Sequence, residues 1–403
     1  MQRPWNWPNS ESVPHAEAWV TRYGMPRPLA NALARRGFSS PDLDTFLNPR
    51  LKGLADPRIL GGMARAVERV WQAVDAGETL FVHGDYDVDG ITGTAFATRT
   101  LRALGATVVP YVPSRSDGYG LGPVGIAEAV RSGASVLVTV DNGIRSVDEV
   151  AAAKAAGLDV IVLDHHLPGE RLPDALAIIN PRLDPELTTF QDLAAVGVAA
   201  MFVHAVAAAR PGTLPQEAYK EALQLVALGT IADVVPLTGE NRILVSHGLR
   251  RLAASRWTGI QALKAVAGIQ TQRVTSANVA FGLAPRINAA GRMGEARDAL
   301  DLLLAEDPTE AYRLAESIEK LNLERRGVER QMTEEALDRF RTADPAPDAI
   351  VQWSDTWPVG VIGIVANRLL DTCHRPAFLI AMDGELGRGS ARSKKGFPLP
   401  AAL

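Results

Sequence analysis

The chain is predicted to be an α/β protein in which a mostly parallel sheet is joined by a long helix to a second, partial α/β unit, with a groove between them. Three observations carry this. Short β-branched runs alternate with amphipathic helical segments from Met63 to Asn180, the pattern of βαβ units. Helical spacing dominates beyond Ala194, and the order strand, helix, strand returns from Ala349.

The elements follow in order. Residues 1–55 read as a helical extension, rich in Pro and Trp at first and then helical over Pro28–Arg36 and Pro41–Leu47. A catalytic unit is expected over 56–265. It opens on a helix from Met63 whose Ala66, Val67, Val70, Trp71 and Val74 share one face. The strand Thr79–His83, the helix Ile91–Leu104 and the strands Thr107–Val112 and Ser135–Val140 come next. The helix Ser146–Ala156, the strand Val160–Asp164 and the short strand Ala177–Asn180 complete the alternation. Ala194–Ala209, interrupted by Gly197 and His204, reads as a buried helix.

A helical connector is expected over 266–345. In it, Asp307–Pro308 with Glu310 open a helix to about Arg341, with Leu314, Ile318, Leu321, Val328 and Met332 at helical spacing. Gly327 offers a bend. Thr342–Asp348 is a Pro/Asp-rich boundary. The last unit, 346–403, supplies the strand Ala349–Ser354, the helix Val361–Leu370 and the strand Pro376–Ala381. That is too little for a stable α/β domain, so the chain is expected to stop within it.

With 403 residues, 47% of them apolar and 22% charged, the composition is that of an ordinary globular protein of two or three domains. A net charge of −4 exerts no global pull on a polyanion, so any basic surface must be local. Cys373, the only cysteine, rules out an internal disulfide and a cysteine-based zinc site, and fits a cytoplasmic setting. No stretch approaches the ~18 uninterrupted apolar residues of a membrane span, and MQRPWNWPNSESVPHAEAW lacks the apolar core of a signal peptide.

Four stretches place acidic or imidazole groups just past apolar runs: HGDYDVDG (His83–Gly90), TVDNG (Thr139–Gly143), LDHH (Leu163–His166) and GTIADVVP (Gly229–Pro236). Strand ends are where an open α/β sheet presents its crevice. Taken singly, each stretch has an ordinary account: an Asx turn or helix cap for the aspartates, a cap for Asp233. Gathered, Asp87, Asp89, Asp141, Asp233, His83 and His165 would repel one another unless cations lay among them. Imidazole and carboxylate donors suit Mn²⁺ or Mg²⁺ better than Ca²⁺. Two such ions suit phosphoester hydrolysis. Gly84 and Gly90 are expected to allow a tight turn there. The glycine spacing matches neither a dinucleotide fingerprint nor a P-loop.

Three further clusters could hold phosphate. Arg286, Asn288 and Arg292 lie among small residues that permit close approach, although a helix cap with solvated arginines has the same composition. Arg115 lies near Tyr119, which could stack on a base or be an ordinary loop aromatic. Arg388, Ser390 and Arg392, with Lys394, Lys395 and Ser393, could form a nest of backbone N–H groups or a solvated basic turn.

In this order the four stretches resemble the motifs of the DHH phosphoesterase superfamily, named for Asp164-His165-His166. HGDYDVDGITG, VPSRSDGYGLG (Val112–Gly122), APRINAAGRMG (Ala284–Gly294) and GFSSPDLDTFLNP followed by DPRILGGMARAVERV resemble its RecJ family of single-strand exonucleases, from about Leu33 onward. PVGVIGIVANRL and GRGSARS resemble the start of a DHHA1 module. The Gly-Gly-His stretch that normally continues that module, and the OB-fold usual in RecJ enzymes, are not found in this sequence.

The resemblance implies a metal-dependent exonuclease that degrades single-stranded DNA from 5′ to 3′ and releases 5′-mononucleotides in DNA repair and recombination. It implies that His83 and Asp87 hold a first ion, Asp89, His165 and Asp233 a second, and that Asp141 bridges them. His166 is implied to hydrogen-bond the scissile phosphate or leaving group, with Asp85 and Asp164 orienting ligands. A helicase and a single-strand-binding protein are the implied protein partners. Two alternatives stand beside this: a phosphodiesterase for short oligonucleotides or cyclic dinucleotides, and a non-catalytic replication scaffold.

Overall fold

The computed structural model describes residues 15–270, 272–342 and 347–399. The Pro/Trp-rich start and most of the 342–348 boundary lie outside these residues.

The central sheet contains β1 (Thr79–His83), β2 (Thr107–Tyr111), β3 (Ala134–Val140), β4 (Asp159–Leu163) and β5 (Ala177–Ile179). All neighbours are parallel, in the order β2-β1-β3-β4-β5. The strands are apolar on both faces because both are covered. Leu80, Val82, Val136, Val138 and Val140 point into the larger core. Phe81, Leu137, Val160 and Val162 point into the opposite one. This strand order reverses direction between β1 and β3, the switch point at which doubly wound sheets bind ligands.

The N-terminal helices α1 (Ala16–Tyr23), α2 (Arg27–Arg35) and α3 (Ser40–Leu47) pack around Trp19, Leu33 and Leu43. Around the central sheet α4 (Met63–Ala76) and α5 (Val88–Ala103) lie on the larger-core face, and α6 (Pro123–Arg131) and α7 (Val147–Ala155) on the other. The sequence reading placed no helix at α6, a short segment with Gly125 near its start that folds because Ile126 and Ala129 reach the sheet. α8 (Ala195–Ala209), α9 (Gln216–Ala232) and α10 (Gly239–Ala253) extend the larger core. Arg242 of α10 holds the N-terminal helices: its Nε donates to Phe46 O at 2.6 Å and its guanidinium lies 3.4 Å from the Phe46 ring centre.

α11 (Thr258–Val266) and α12 (Ser276–Asn278) lead through a π-helical turn at Val279–Leu283 into α13 (Ala284–Met293) and α14 (Ala296–Leu304). α15 (Pro308–Arg341) runs for 34 residues, capped by Asp307, whose carboxylate accepts from Glu310 N–H at 2.8 Å. It spans about 50 Å. The helix continues through Gly327. Ala311, Leu314 and Ile318 belong to the first core, while Met332 and Ala336 belong to a second. One helix therefore serves both units.

The second unit comprises β6 (Ile350–Ser354), α16 (Val359–Cys373), β7 (Ala377–Asp383) and β8 (Leu386–Arg392). β6 is parallel to β7, and β8 is antiparallel to it. The strand β8 corrects the sequence reading, which treated Gly387–Lys395 as a turn or nest. Its backbone pairs with β7 instead. Two glycines and two arginines make a poor strand by composition. Gly387 is nevertheless required by contact, since a Cβ there would lie 2.8 Å from Ile380 Cγ2. Among the described residues no helix is long and apolar enough to cross a membrane.

Candidate metal centre

The centre lies at the C-terminal ends of β1, β3 and β4. After His83 the chain turns through Gly84 to Tyr86, and Asp87 caps α5, its Oδ1 accepting from the N–H groups of Asp89 (2.9 Å) and Gly90 (3.1 Å). The helix thus starts three residues before the expected Ile91. Asp89 falls in its first turn, buried, where Oδ2 accepts from Ala195 N–H at 2.6 Å and Oδ1 from Val196 N–H at 3.0 Å. The positive N-terminus of α8 holds that carboxylate.

The expected reason for Gly84 and Gly90 needs correction. Neither has a positive φ; both are close-approach positions. A Cβ on Gly84 would lie 2.1 Å from Thr94 Oγ1, and one on Gly90 2.4 Å from Asp85 N.

Asp141 follows β3 in the left-handed region, with φ 67°. Such strain costs about 1–3 kcal/mol and persists where the surroundings impose it. Here Asp141 N–H donates to Leu163 O at 3.0 Å, and the Tyr119 hydroxyl donates to Asp141 O at 3.2 Å. Asp164 follows β4 and accepts from Ile144 N–H (2.9 Å), His165 N–H (2.7 Å) and His166 Nδ1 (2.7 Å). Asp233 ends α9, and Val234 beside it is 85% exposed with φ 62°, a second strained position at the rim.

Among the described residues donor atoms converge in three groups, the atoms of each within 4.8 Å of one another: Asp89, His165 and Asp233; Asp85, Asp87 and Asp141; and Asp141, His165 and His166. His165 Nε2 is 3.2 Å from Asp141 Oδ1 and 3.9 Å from Asp89 Oδ2, while its Nδ1 is 3.8 Å from Asp233 Oδ2.

The first group unites the residues assigned to the second ion. The next brings Asp85, expected to orient ligands, together with Asp87 and Asp141, while His83 lies outside that group. The His83 ring packs 5.0 Å from that of Tyr111, and a Cβ on Gly125 would lie 2.3 Å from its Nε2. Asp164, expected to orient ligands, holds the ring of His166 and the backbone N–H of His165.

The site is arranged for cations. Both ring nitrogens of His83, Asp85 Oδ2 and Asp141 Oδ1 are buried without a hydrogen-bond partner. Buried groups of this kind normally have one. Burial, followed by repulsion from Asp87, raises Asp85 to about 7 and Asp233 to about 6. Burial and neighbouring aspartates likewise push Asp89 and Asp141 well above the carboxylate range. Burial lowers His83 and His165 to about 4, keeping both imidazoles neutral and able to ligate. For Asp164 burial acts upward, but hydrogen bonds from His166 and the backbone outweigh it and hold the carboxyl low. His166 is raised, chiefly by its hydrogen bond to Asp164.

The phosphate-binding candidates separate. Arg115 stacks 4.1 Å from the Tyr86 ring centre and donates to Gly291 O at 2.8 Å. Tyr86 and Tyr119 meet edge to face at 6.1 Å, and the Tyr119 hydroxyl lies 3.3 Å from His166 Nε2. Arg292 donates to Gly360 O at 2.8 Å, joining α13 to the start of α16. Burial, then the neighbouring Arg115 and Arg325, lowers its pKa to about 10. Crowded cations of this kind suit an anion.

Arg286 requires correction. Its Nε lies 2.6 Å from Glu319 Oε2 and its Nη1 donates to Gly282 O at 2.7 Å, so it faces the interior. Asn288 is half-buried on α13. Arg388, Ser390 and Arg392 alternate along β8, with Ser390 Oγ accepting from Arg392 at 3.1 Å. Sequence reasoning missed Tyr86, although its place between Asp85 and Asp87 was a signal. It also missed Gly125, which nothing in the sequence marked.

The family described as "DHH family, N-terminal domain" matches residues 79–230. The chain is 41% identical over 396 residues to the single-stranded-DNA-specific exonuclease RecJ of Dickeya dadantii, covering 94% of this chain and 68% of that protein. It is 40% identical over 379 residues to the Bacillus subtilis protein of the same name, 93% of this chain but only 47% of that one. The chain thus spans about half the length of the latter. A crystal structure of exonuclease RecJ bound to manganese superposes with a TM-score of 0.75 at 40% identity, over 85% of each chain. RecJ from Thermus thermophilus in complex with Mn²⁺ gives 0.82 at 36% identity, over 96% of this chain and 55% of that one.

Proposed function

Because the chain belongs to the RecJ family of DHH phosphoesterases, we propose that it hydrolyses single-stranded DNA from the 5′ end, releasing 5′-mononucleotides in DNA repair and recombination. One observation carries the chemistry: two donor groups, Asp89–His165–Asp233 and Asp85–Asp87–Asp141, are linked through the 3.2 Å approach of His165 to Asp141, with orphaned buried atoms among them. In this reading each group holds one divalent ion, Mn²⁺ or Mg²⁺, and His83 is a further donor at the end of β1. Bound there, the ions would supply Lewis acidity and an activated water.

The protein's own groups do the rest. Asp164 accepts from Nδ1–H of His166 and raises its pKa, favouring the imidazolium, whose Nε2–H would donate to an oxygen of the scissile phosphate or leaving group. Arg115 and Arg292 neutralise phosphates, and Tyr86 and Tyr119 offer faces on which unpaired bases stack. Arg388, Ser390 and Arg392 on β8 would extend the track along the second unit, residues 346–403, while residues 56–265 carry the catalysis. A helicase and a single-strand-binding protein would supply and present the strands. The lone Cys373 fits work in the cytoplasm.

The test uses one single strand labelled at either end, and its duplex, with Mn²⁺, Mg²⁺ or chelator. Early loss of the 5′ label from the single strand, with metal only, is expected. Early loss of the 3′ label would overturn the polarity. Activity confined to strands of a few nucleotides would favour the short-oligonucleotide reading.

A further inference from the structure

The turn carrying Asp141 is braced by two side chains that have no ligand role. Asn142 is 2% exposed, and its Nδ2 donates to His83 O at 3.3 Å and Val140 O at 3.0 Å. It therefore ties the end of β1 to the end of β3, the two points from which Asp85 and Asp141 leave the sheet. Thr139, also fully buried, donates from Oγ1 to Asn142 O at 2.8 Å.

Neighbouring space is closed as well. A Cβ on Gly143 would lie 2.6 Å from Thr139 Oγ1, and one on Gly120 would lie 3.3 Å from Asn142 Cβ. Asn142 Oδ1 remains buried without a partner, a cost that a residue needed only to make a turn would not have to carry. Aspartate tolerates the left-handed region better than most residues but does not favour it. Something must keep Asp141 there.

We propose that Asn142 and Thr139 are positioning residues that clamp the Asp141 turn across the β1–β3 junction, so that its carboxylate reaches both donor groups before any cation arrives. This rests on the two-metal reading of the site. Replacing Asn142 by alanine removes the Nδ2 donor shared by the two strand-end carbonyls and frees the turn to leave the left-handed region. A residue that only stabilised the fold would lower the melting temperature and leave metal affinity alone.

The test is Mn²⁺ binding by the full chain, followed through the electron paramagnetic resonance of free Mn²⁺, together with amide hydrogen exchange in chelator. Asn142→Ala is expected to weaken Mn²⁺ binding about 10–100-fold, the effect usual for groups that orient ligands. In chelator it should also speed exchange at the Asp141 amide. Thr139→Val should shift both measurements in the same direction, while Thr139→Ser, which keeps the hydroxyl, should restore wild-type values.

If Asn142→Ala loses its far-ultraviolet circular dichroism, the Thr139 pair decides the matter. Wild-type Mn²⁺ affinity in folded Asn142→Ala or in Thr139→Val would overturn the clamp and leave the metal reading standing. Equal losses in Thr139→Val and Thr139→Ser would overturn it too. A wild-type chain that bound no Mn²⁺ would remove the metal reading and this inference with it.

Discussion

Asp141 Oδ1 lies 3.2 Å from His165 Nε2, although the two residues follow different strands and are separated by a helix and the strand after it. The parallel register of β3 and β4, with Val140 beside Leu163, brings them together. Asp141 thereby belongs to two donor groups at once. Asp141→Asn should keep the turn, since asparagine also accepts a positive φ, but remove the charge. Hydrolysis is expected to fall by more than about 100-fold. The melting temperature in chelator is expected to rise, because one buried repulsive charge is gone. Near-normal turnover would refute the shared role.

In the metal-free protein Asp85 and Asp233 should lose their stabilising contribution as pH climbs from about 4 to their folded values, leaving a net fall in stability between about 6.5 and 7, where the histidines no longer oppose it. Asp85 and Asp233 have folded pKa values of about 7 and 6, above their unfolded values. Groups raised in this way contribute stability below their unfolded pKa and lose it as pH climbs through the folded one. His83 and His165, lowered to about 4, act in the opposite direction, but their influence ends near 6.5. Mn²⁺ competes with protons for the carboxylates, so the gain in melting temperature on adding metal should be larger at pH 8 than at pH 6. A gain that shrank with pH would contradict the assignment.

Arg286 and Arg292 should separate cleanly. Arg286→Met breaks the half-buried ion pair with Glu319 and should cost roughly 3 kcal/mol of stability, leaving KM for DNA nearly unchanged. Arg292→Gln should raise KM for DNA, with a smaller loss of stability, from the Gly360 contact, than Arg286→Met shows. Unfolding titrations and initial rates on the two variants distinguish these outcomes.

Gly291→Ala tests the contact between α13 and the metal-bearing loop. The added methyl would lie 2.4 Å from Tyr86 O, so the loop or the helix must move. A loss of about 1–3 kcal/mol is expected, together with weaker Mn²⁺ binding as Asp85 and Asp87 shift. Unchanged metal affinity would show that the loop is positioned without α13.

The strand ends were legible in the sequence because the chemistry sits where apolar runs stop: β1 was read without error, and β3 and β4 to within a residue at each end. The grouping of Asp89, His165 and Asp233 came from the family resemblance, and the structure brings their donor atoms within 4.8 Å of one another. What was not legible depends on contacts distant in sequence. Asp85, not His83, stands with Asp87 and Asp141, because the His83 ring leans toward Tyr111 and Gly125, on elements far along the chain. Arg286 is drawn inward by Glu319, 33 residues away, and no local pattern signals that. The strand β8 contradicts its own composition and forms because β7 offers a free edge. Asp87 was weighed as either helix cap or ligand, and its geometry allows both: one oxygen caps α5 while the carboxylate stands with Asp85 and Asp141.

Anomalous diffraction from crystals soaked in Mn²⁺ examines the metal centre most directly. Two peaks are expected roughly 3.5–4 Å apart, one among Asp89, His165 and Asp233 and the other beside Asp85 and Asp87, with Asp141 touching both. A map with no peak among these side chains, from crystals that diffract well and hold the same fold, would contradict the account.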